Sequence, residues 1–168
     1  PDFARSDLAA ERFLREARAA GNIEHENVVK VLDVGRDPED NSLFLVLERL
    51  RGEDLSARLD KSPLKIVDAA PIFVPVMDAL ADAHELGIVH RDLKPENIFL
   101  HTGRKGRLVA KLLDFGIAKV SDDKGGRGTQ TGTVIGTPWY MSPEQAAGDK
   151  SLGPASDVWS IAVVFYEA

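Results

Sequence analysis

The octet His90-Arg91-Asp92-Leu93-Lys94-Pro95-Glu96-Asn97 constrains this chain more than any other stretch. It follows closely on Gly87, which ends a helical segment, and it concentrates His, Arg, Asp, Lys, Glu and Asn in eight positions. Asp114-Phe115-Gly116 begins 17 residues after Asn97, and Ser142-Pro143-Glu144 ends 30 residues after Asp114. The Gly, Thr and Ser character of residues 114–144 predicts a loop longer than compact domains keep without a functional reason. The chemistry at its ends must come from oxygen and nitrogen groups. With Cys 0, disulfides, thiolate zinc sites and a cysteine nucleophile are all excluded. Lys+Arg 21 against Asp+Glu 27 gives a net charge of −6, which argues against nucleic-acid binding through a basic surface. The longest strictly apolar run, Ala69 to Met77, is far short of the roughly 20 residues of a membrane span. No membrane contact is expected from this segment.

Charge alternating with Ala, Leu and Phe at helical spacing predicts an amphipathic helix from Ser6 to Ala20, ended by Gly21-Asn22. Val28–Val34 and Leu43–Glu48 read as strands joined by the turn cluster Asp37-Pro38-Glu39-Asp40-Asn41, and so as an antiparallel hairpin. The polar stretch Arg49–Asp54 marks a change of character, and everything from there to Gly87 reads as helical. Within Leu64–Leu86, Pro71 and Pro75 are expected to kink the helix or delay its start. Ile88–Leu100, a basic turn at His101–Arg107 and Leu108–Leu113 read as strand, turn, strand. Trp159 and Phe165 read as core.

A lone Asp-x-Lys is usually a solvated pair, and a lone Asp-Phe-Gly is usually a turn. Together and in this order the motifs resemble the eukaryotic-like serine/threonine protein kinases, and Gly136-Thr137-Pro138-Trp139-Tyr140-Met141-Ser142-Pro143-Glu144-Gln145 is most similar to their bacterial members. The resemblance runs over nearly the whole chain, ending in a helix that opens at Asp157-Val158-Trp159-Ser160. It implies an α+β, protein-kinase-like two-lobe fold that is incomplete here. Residues 1–50 would be the end of the small lobe, a helix plus a β-hairpin. Residues 51–168 would be the first half of the mainly helical large lobe, with the catalytic loop and activation segment.

Phosphoryl transfer to a hydroxyl needs an aligned nucleophile and cations that hold the phosphate charge. Asp92 accepts only, so it can orient a hydroxyl and take its proton, while Lys94 can place positive charge near the moving phosphate. Asn97 and Asp114 offer the hard oxygens that magnesium prefers. The resemblance implies ATP and Mg2+ as cofactors, Asp92 as base, and Asn97 and Asp114 as magnesium ligands. It implies that Glu16 pairs with a phosphate-binding lysine, that Leu47, Glu48 and Leu50 form the hinge against adenine, and that Phe99 floors that pocket. His90 reads as a packed structural imidazole, and Asp157 resembles the buried aspartate that holds the catalytic loop's backbone. Arg91 before Asp92 implies control by loop phosphorylation, with Thr129 and Thr131 as sites of self-modification in trans within a dimer. Lys94 and Thr137 resemble serine/threonine rather than tyrosine kinases.

No Gly and no Lys occurs before Glu16, so neither a glycine-rich phosphate loop nor its lysine strand lies within this sequence. After Glu144 there is no Arg to pair with it. Both ends are therefore read as cut, and the isolated piece is expected to be inactive. The expected function is ATP-dependent phosphorylation of Ser/Thr hydroxyls on proteins by a cytoplasmic kinase domain, with membrane anchoring of the parent through other segments left open. The alternative is a pseudokinase serving as a nucleotide- or protein-binding scaffold.

Overall fold

The computed structural model describes residues 7–115, 138–149 and 151–168. Helix α1, Asp7–Gly21, buries Ala10, Ala17 and Ala20 on one face and turns Glu11, Arg15 and Arg18 to solvent. Strands β1, Val31–Arg36, and β2, Leu43–Leu47, form the expected antiparallel hairpin. Its turn is built by side chains that satisfy the backbone: Asp37 accepts from the N–H of Glu39 and Asp40 from that of Ser42, both at 2.8 Å. Asn41, at φ 63°, reverses the chain in the left-handed region that asparagine tolerates.

The first strand is shorter than the sequence predicts. Val28 and Val29 are buried, and residues 27–29 pair with the neighbouring sheet: Val29 N–H donates to Leu112 O at 2.9 Å and Leu112 N–H to Asn27 O at 2.7 Å. Buried backbone groups must find partners, and these find them on β5 rather than in the hairpin.

Strands β3, Gly52–Asp54, β4, Ile98–Thr102, and β5, Leu108–Leu112, form a second antiparallel sheet in the order β3-β4-β5. The sequence does not predict β3, because three residues carry no periodicity. Residues 88–94 are irregular rather than extended strand, and a 3₁₀ turn at Pro95–Asn97 leads into β4. Gly52 packs against β4 at φ 138°, where an added Cβ would stand 2.1 Å from Leu100 O. Gly52→Ala is expected to destabilise the fold by at least about 2 kcal/mol, since the backbone must leave that conformation or β3 must leave β4. Thermal unfolding of the full-length protein checks this, the drop in Tm being roughly 4–8 °C.

Helix α2, Leu55–Leu59, is capped by Asp54, whose Oδ1 accepts from Ala57 N–H at 2.8 Å. Helix α3, Ile66–Glu85, runs through Pro71 and Pro75 without interruption and buries Ile72, Phe73, Val76, Ala79, Leu80 and Ala83. Helix α4 is Pro143–Ala146, with Ser142 and Gln145 forming a capping box. Helix α5, Pro154–Glu167, opens three residues before the predicted start because Pro154 suits the first turn. Its Ile161 and Val164 join residues of α1, α3, β4 and β5 in one core. Trp159 and Phe165, expected inside, are 48% and 44% exposed, although Phe165 meets Phe73 edge-on at 5.0 Å. Among the described residues no helix is long and apolar enough to cross a membrane.

Candidate active site

The octet is suspended from α5. Asp157, 1% exposed in the first turn of that helix, accepts from the N–H groups of His90 and Arg91 at 2.8 Å each and pairs with His84 Nε2 of α3 at 2.7 Å. His90 is fully buried, as expected of a structural imidazole. Its Nδ1 accepts the Asp92 N–H at 3.3 Å, so Nε2 carries the proton and donates to Leu113 O at 2.8 Å. Burial pushes this imidazole below the usual histidine range, against the opposing pull of Asp157, and keeps it neutral at pH 7. Its ring lies 4.8 Å from that of Phe115.

Asp92, Lys94 and Asn97 are brought together. Asn97, 7% exposed, donates from Nδ2 to Asp92 O at 2.7 Å and to Asp92 Oδ2 at 3.1 Å. Lys94 Nζ lies 3.3 Å from the same carboxylate oxygen. Leu113 is tied to the octet at both backbone groups, its N–H donating to Asn97 O at 2.9 Å and its carbonyl accepting from His90. Asp114 therefore follows directly from an anchored residue. Arg91 and Asp114 sit at φ 65° and 50°, strained backbone of the kind that collects at functional sites.

The donor chemistry here suits magnesium: a carboxamide oxygen on Asn97 and a carboxylate on Asp114, both hard ligands. Among the described residues no group of three or more His, Asp or Glu could hold a metal unaided. An ion of this kind draws its remaining ligands from phosphate and water.

The other predicted residues lie around this centre. Glu16 of α1 lines a cleft of about 180 Å³ with Arg91 and Phe115. Burial raises its carboxyl above the usual range although Arg91, Arg15 and Arg12 pull the other way. Leu47 ends β2 opposite Val31, and Leu50 is half-buried between β2 and β3. Phe99 stands in β4 opposite both Asp54 and Lys111. Glu48 is desolvated, which pushes its carboxyl up, but hydrogen bonds from Lys111 and the Lys30 N–H outweigh this and leave it below the usual range. Thr129, Thr131 and Thr137 lie outside the described residues.

Sequence reasoning passes over three residues of this region. Lys111 is 8% exposed and ion-paired with Glu48; a lysine inside the apolar run Leu108–Leu113 was the available signal. Gln145 of α4 donates to Arg91 O at 2.8 Å. His84, on α3, carried no signal. Glu144, which has no Arg after it in the sequence to pair with, accepts from Ser156 Oγ at 2.5 Å.

The family model described as the protein kinase domain matches residues 3–168. A serine/threonine-protein kinase of Myxococcus xanthus, pkn3, is 45% identical over 159 residues, covering 93% of this chain and 29% of that protein. A probable serine/threonine-protein kinase of Corynebacterium glutamicum, PknB, is 40% identical over 169 residues, covering 99% of this chain and 25% of that protein. The crystal structure of the Mycobacterium tuberculosis PknI kinase domain superposes with a TM-score of 0.73 at 27% identity, over 98% of this chain and 58% of that one. The chain thus spans under a third of these two curated relatives and somewhat over half of the solved kinase domain.

Proposed function

Since this chain belongs to the protein kinase domain family and is similar to bacterial serine/threonine kinases, we propose that it carries the catalytic centre of an enzyme that moves the γ-phosphoryl group of ATP onto Ser/Thr hydroxyls of proteins. Protein kinases use ATP with Mg2+. The observation that carries the proposal is the anchoring of Asp92 by Asn97, at 3.1 Å, and by Lys94, at 3.3 Å, on a loop hung from Asp157. A carboxylate so held is oriented for a hydroxyl presented to it. It orients the nucleophile and accepts its proton as the bond to phosphorus forms, and Lys94 offsets the charge that gathers on the transferred group. Asn97 and Asp114 would hold the magnesium, which when bound neutralises phosphate charge. The backbone around Leu47, Glu48 and Leu50 would meet the adenine, with Phe99 beneath it. Glu16 would reach a phosphate-binding lysine supplied from outside residues 1–168. The retention of Asp92, Asn97 and Asp114 together speaks against a scaffold without catalysis.

Regulation follows from Arg91, because a phosphate on the loop would bring roughly −1.5 to −2 charges to pair with cations. We place self-phosphorylation, in trans between two copies, on Thr129 or Thr131, and the catalytic part in the cytoplasm. Phosphopeptide mapping of the purified full-length protein after incubation with Mg-ATP is expected to find phosphate on one or both. Phosphate on Thr133 alone, or on no loop threonine, would overturn that assignment.

A further inference from the structure

Lys111 has no place in the chemistry described so far, yet its position is unusual for a lysine. It lies in β5 within Leu-Val-Ala-Lys-Leu, 8% exposed, where long cationic side chains are rarely found unless paired. Its ammonium is ion-paired with the Glu48 carboxylate, 63 residues away in sequence, and lies 3.3 Å from Val28 O. Glu48 is held a second time by the hairpin. Its Oε1 accepts the Lys30 N–H at 3.0 Å, and its own N–H donates to Lys30 O at 2.9 Å.

The register of the second sheet sets Lys111 opposite Phe99, so the two side chains share a face. One short strand therefore connects three parts of the proposed nucleotide site: the segment at Glu48, the floor at Phe99, and Asp114, three residues beyond Lys111. An apolar side chain of similar length would fill this position without the cost of desolvating an ammonium, so stability alone does not account for the lysine.

We propose that Lys111 is a positioning residue for nucleotide binding, holding Glu48 so that the backbone on either side of it stays aligned over Phe99. This rests on the reading of residues 47–50 as the adenine contact. Neither Lys111 nor the Glu48 carboxylate touches the reacting atoms. Their loss should weaken the hold on ATP and leave the chemical step alone.

The test compares the full-length protein with its Lys111→Met, Lys111→Arg and Glu48→Gln forms and the Glu48→Gln/Lys111→Met double variant. It measures kcat and the KM for ATP, nucleotide Kd by displacement of a fluorescent ATP analogue, and Tm. Lys111→Met is expected to raise KM and Kd about tenfold, as for loss of one charge-assisted contact, with kcat changed less than about twofold. Lys111→Arg should restore most of the affinity. The double variant should be no worse than either single one, because both remove the same contact. An unchanged KM in Lys111→Met, whatever its Tm, overturns the proposal, as does an affinity loss that adds up independently in the double variant. If Lys111→Met does not fold, Lys111→Arg and Glu48→Gln still decide: a Glu48→Gln form with normal KM sinks it. A full-length protein with no affinity for ATP overturns the nucleotide site itself, which is a different failure.

Discussion

Replacing Asp92 with asparagine is expected to lower phosphate transfer by roughly 10²–10⁴-fold while leaving ATP affinity near that of the unaltered protein. The substitution keeps the shape of the side chain and its room for hydrogen bonds. What it removes is the negative charge opposite Lys94 and the capacity to take a proton. Because Asn97 donates to the main-chain oxygen of residue 92 as well as to its carboxylate, the loop should keep its course. Transfer of labelled γ-phosphate to a generic Ser/Thr-containing acceptor, with Kd for nucleotide measured beside it, reads both quantities. An Asp92→Asn protein that phosphorylates its own loop with no other kinase present would show that the base lies elsewhere.

The second large effect is expected at a residue placed too deep to meet any substrate. Asp157→Ala removes the acceptor for two main-chain N–H groups and for His84, all in a nearly closed environment. Each buried donor left unsatisfied costs about 1–3 kcal/mol, so loss of folding is the expected outcome for alanine. Asp157→Asn is the informative variant. One amide oxygen can still accept, but the NH2 that replaces the other oxygen meets a donor, so either residue 90 or residue 91 is released. Arg91, strained at φ 65°, has reason to relax once released, and Asp92 would move with it. Misplacement of about 1 Å can cost on the order of 10²-fold in rate. A folded Asp157→Asn protein with kcat down about that much and ATP affinity retained is the expected result. Circular dichroism and a nucleotide titration separate it from simple unfolding. Unchanged kcat in the folded variant would mean that the octet keeps its geometry without this clamp.

The chemistry proved the most legible part of the sequence, because the octet carries its polar groups within eight consecutive residues. Short-range spacing alone puts Asp92, Lys94 and Asn97 within reach of one another, and the structure joins them. The β1-β2 hairpin was legible for a similar reason, since a five-residue turn cluster leaves the flanking apolar runs little choice but to pair. Strand β3 and the course of residues 27–29 were not, because both are decided by what lies across the sheet. Gly52 pairs with His101, and Val29 with Leu112, at separations no local pattern encodes.

By itself, then, the sequence determined which groups are present and in what order: a carboxylate, an ammonium and a carboxamide in one loop, and a second carboxylate 17 residues on. It determined those because local spacing and residue chemistry suffice. The resemblance already pointed to Asp157 as an anchor of the loop's backbone, but only the tertiary structure decided the full set of links that hold these groups still. Asp157 reaches back 67 residues to the His90 N–H, Lys111 reaches 63 residues to Glu48, and Leu113 is tied at both backbone groups to the octet. Those links exist because burial strips water from N–H groups and charges, which must then pair with whatever the packed core brings beside them. Which partners it brings is set by how α3, α5 and the second sheet close on one another, and no single stretch of the chain contains that information.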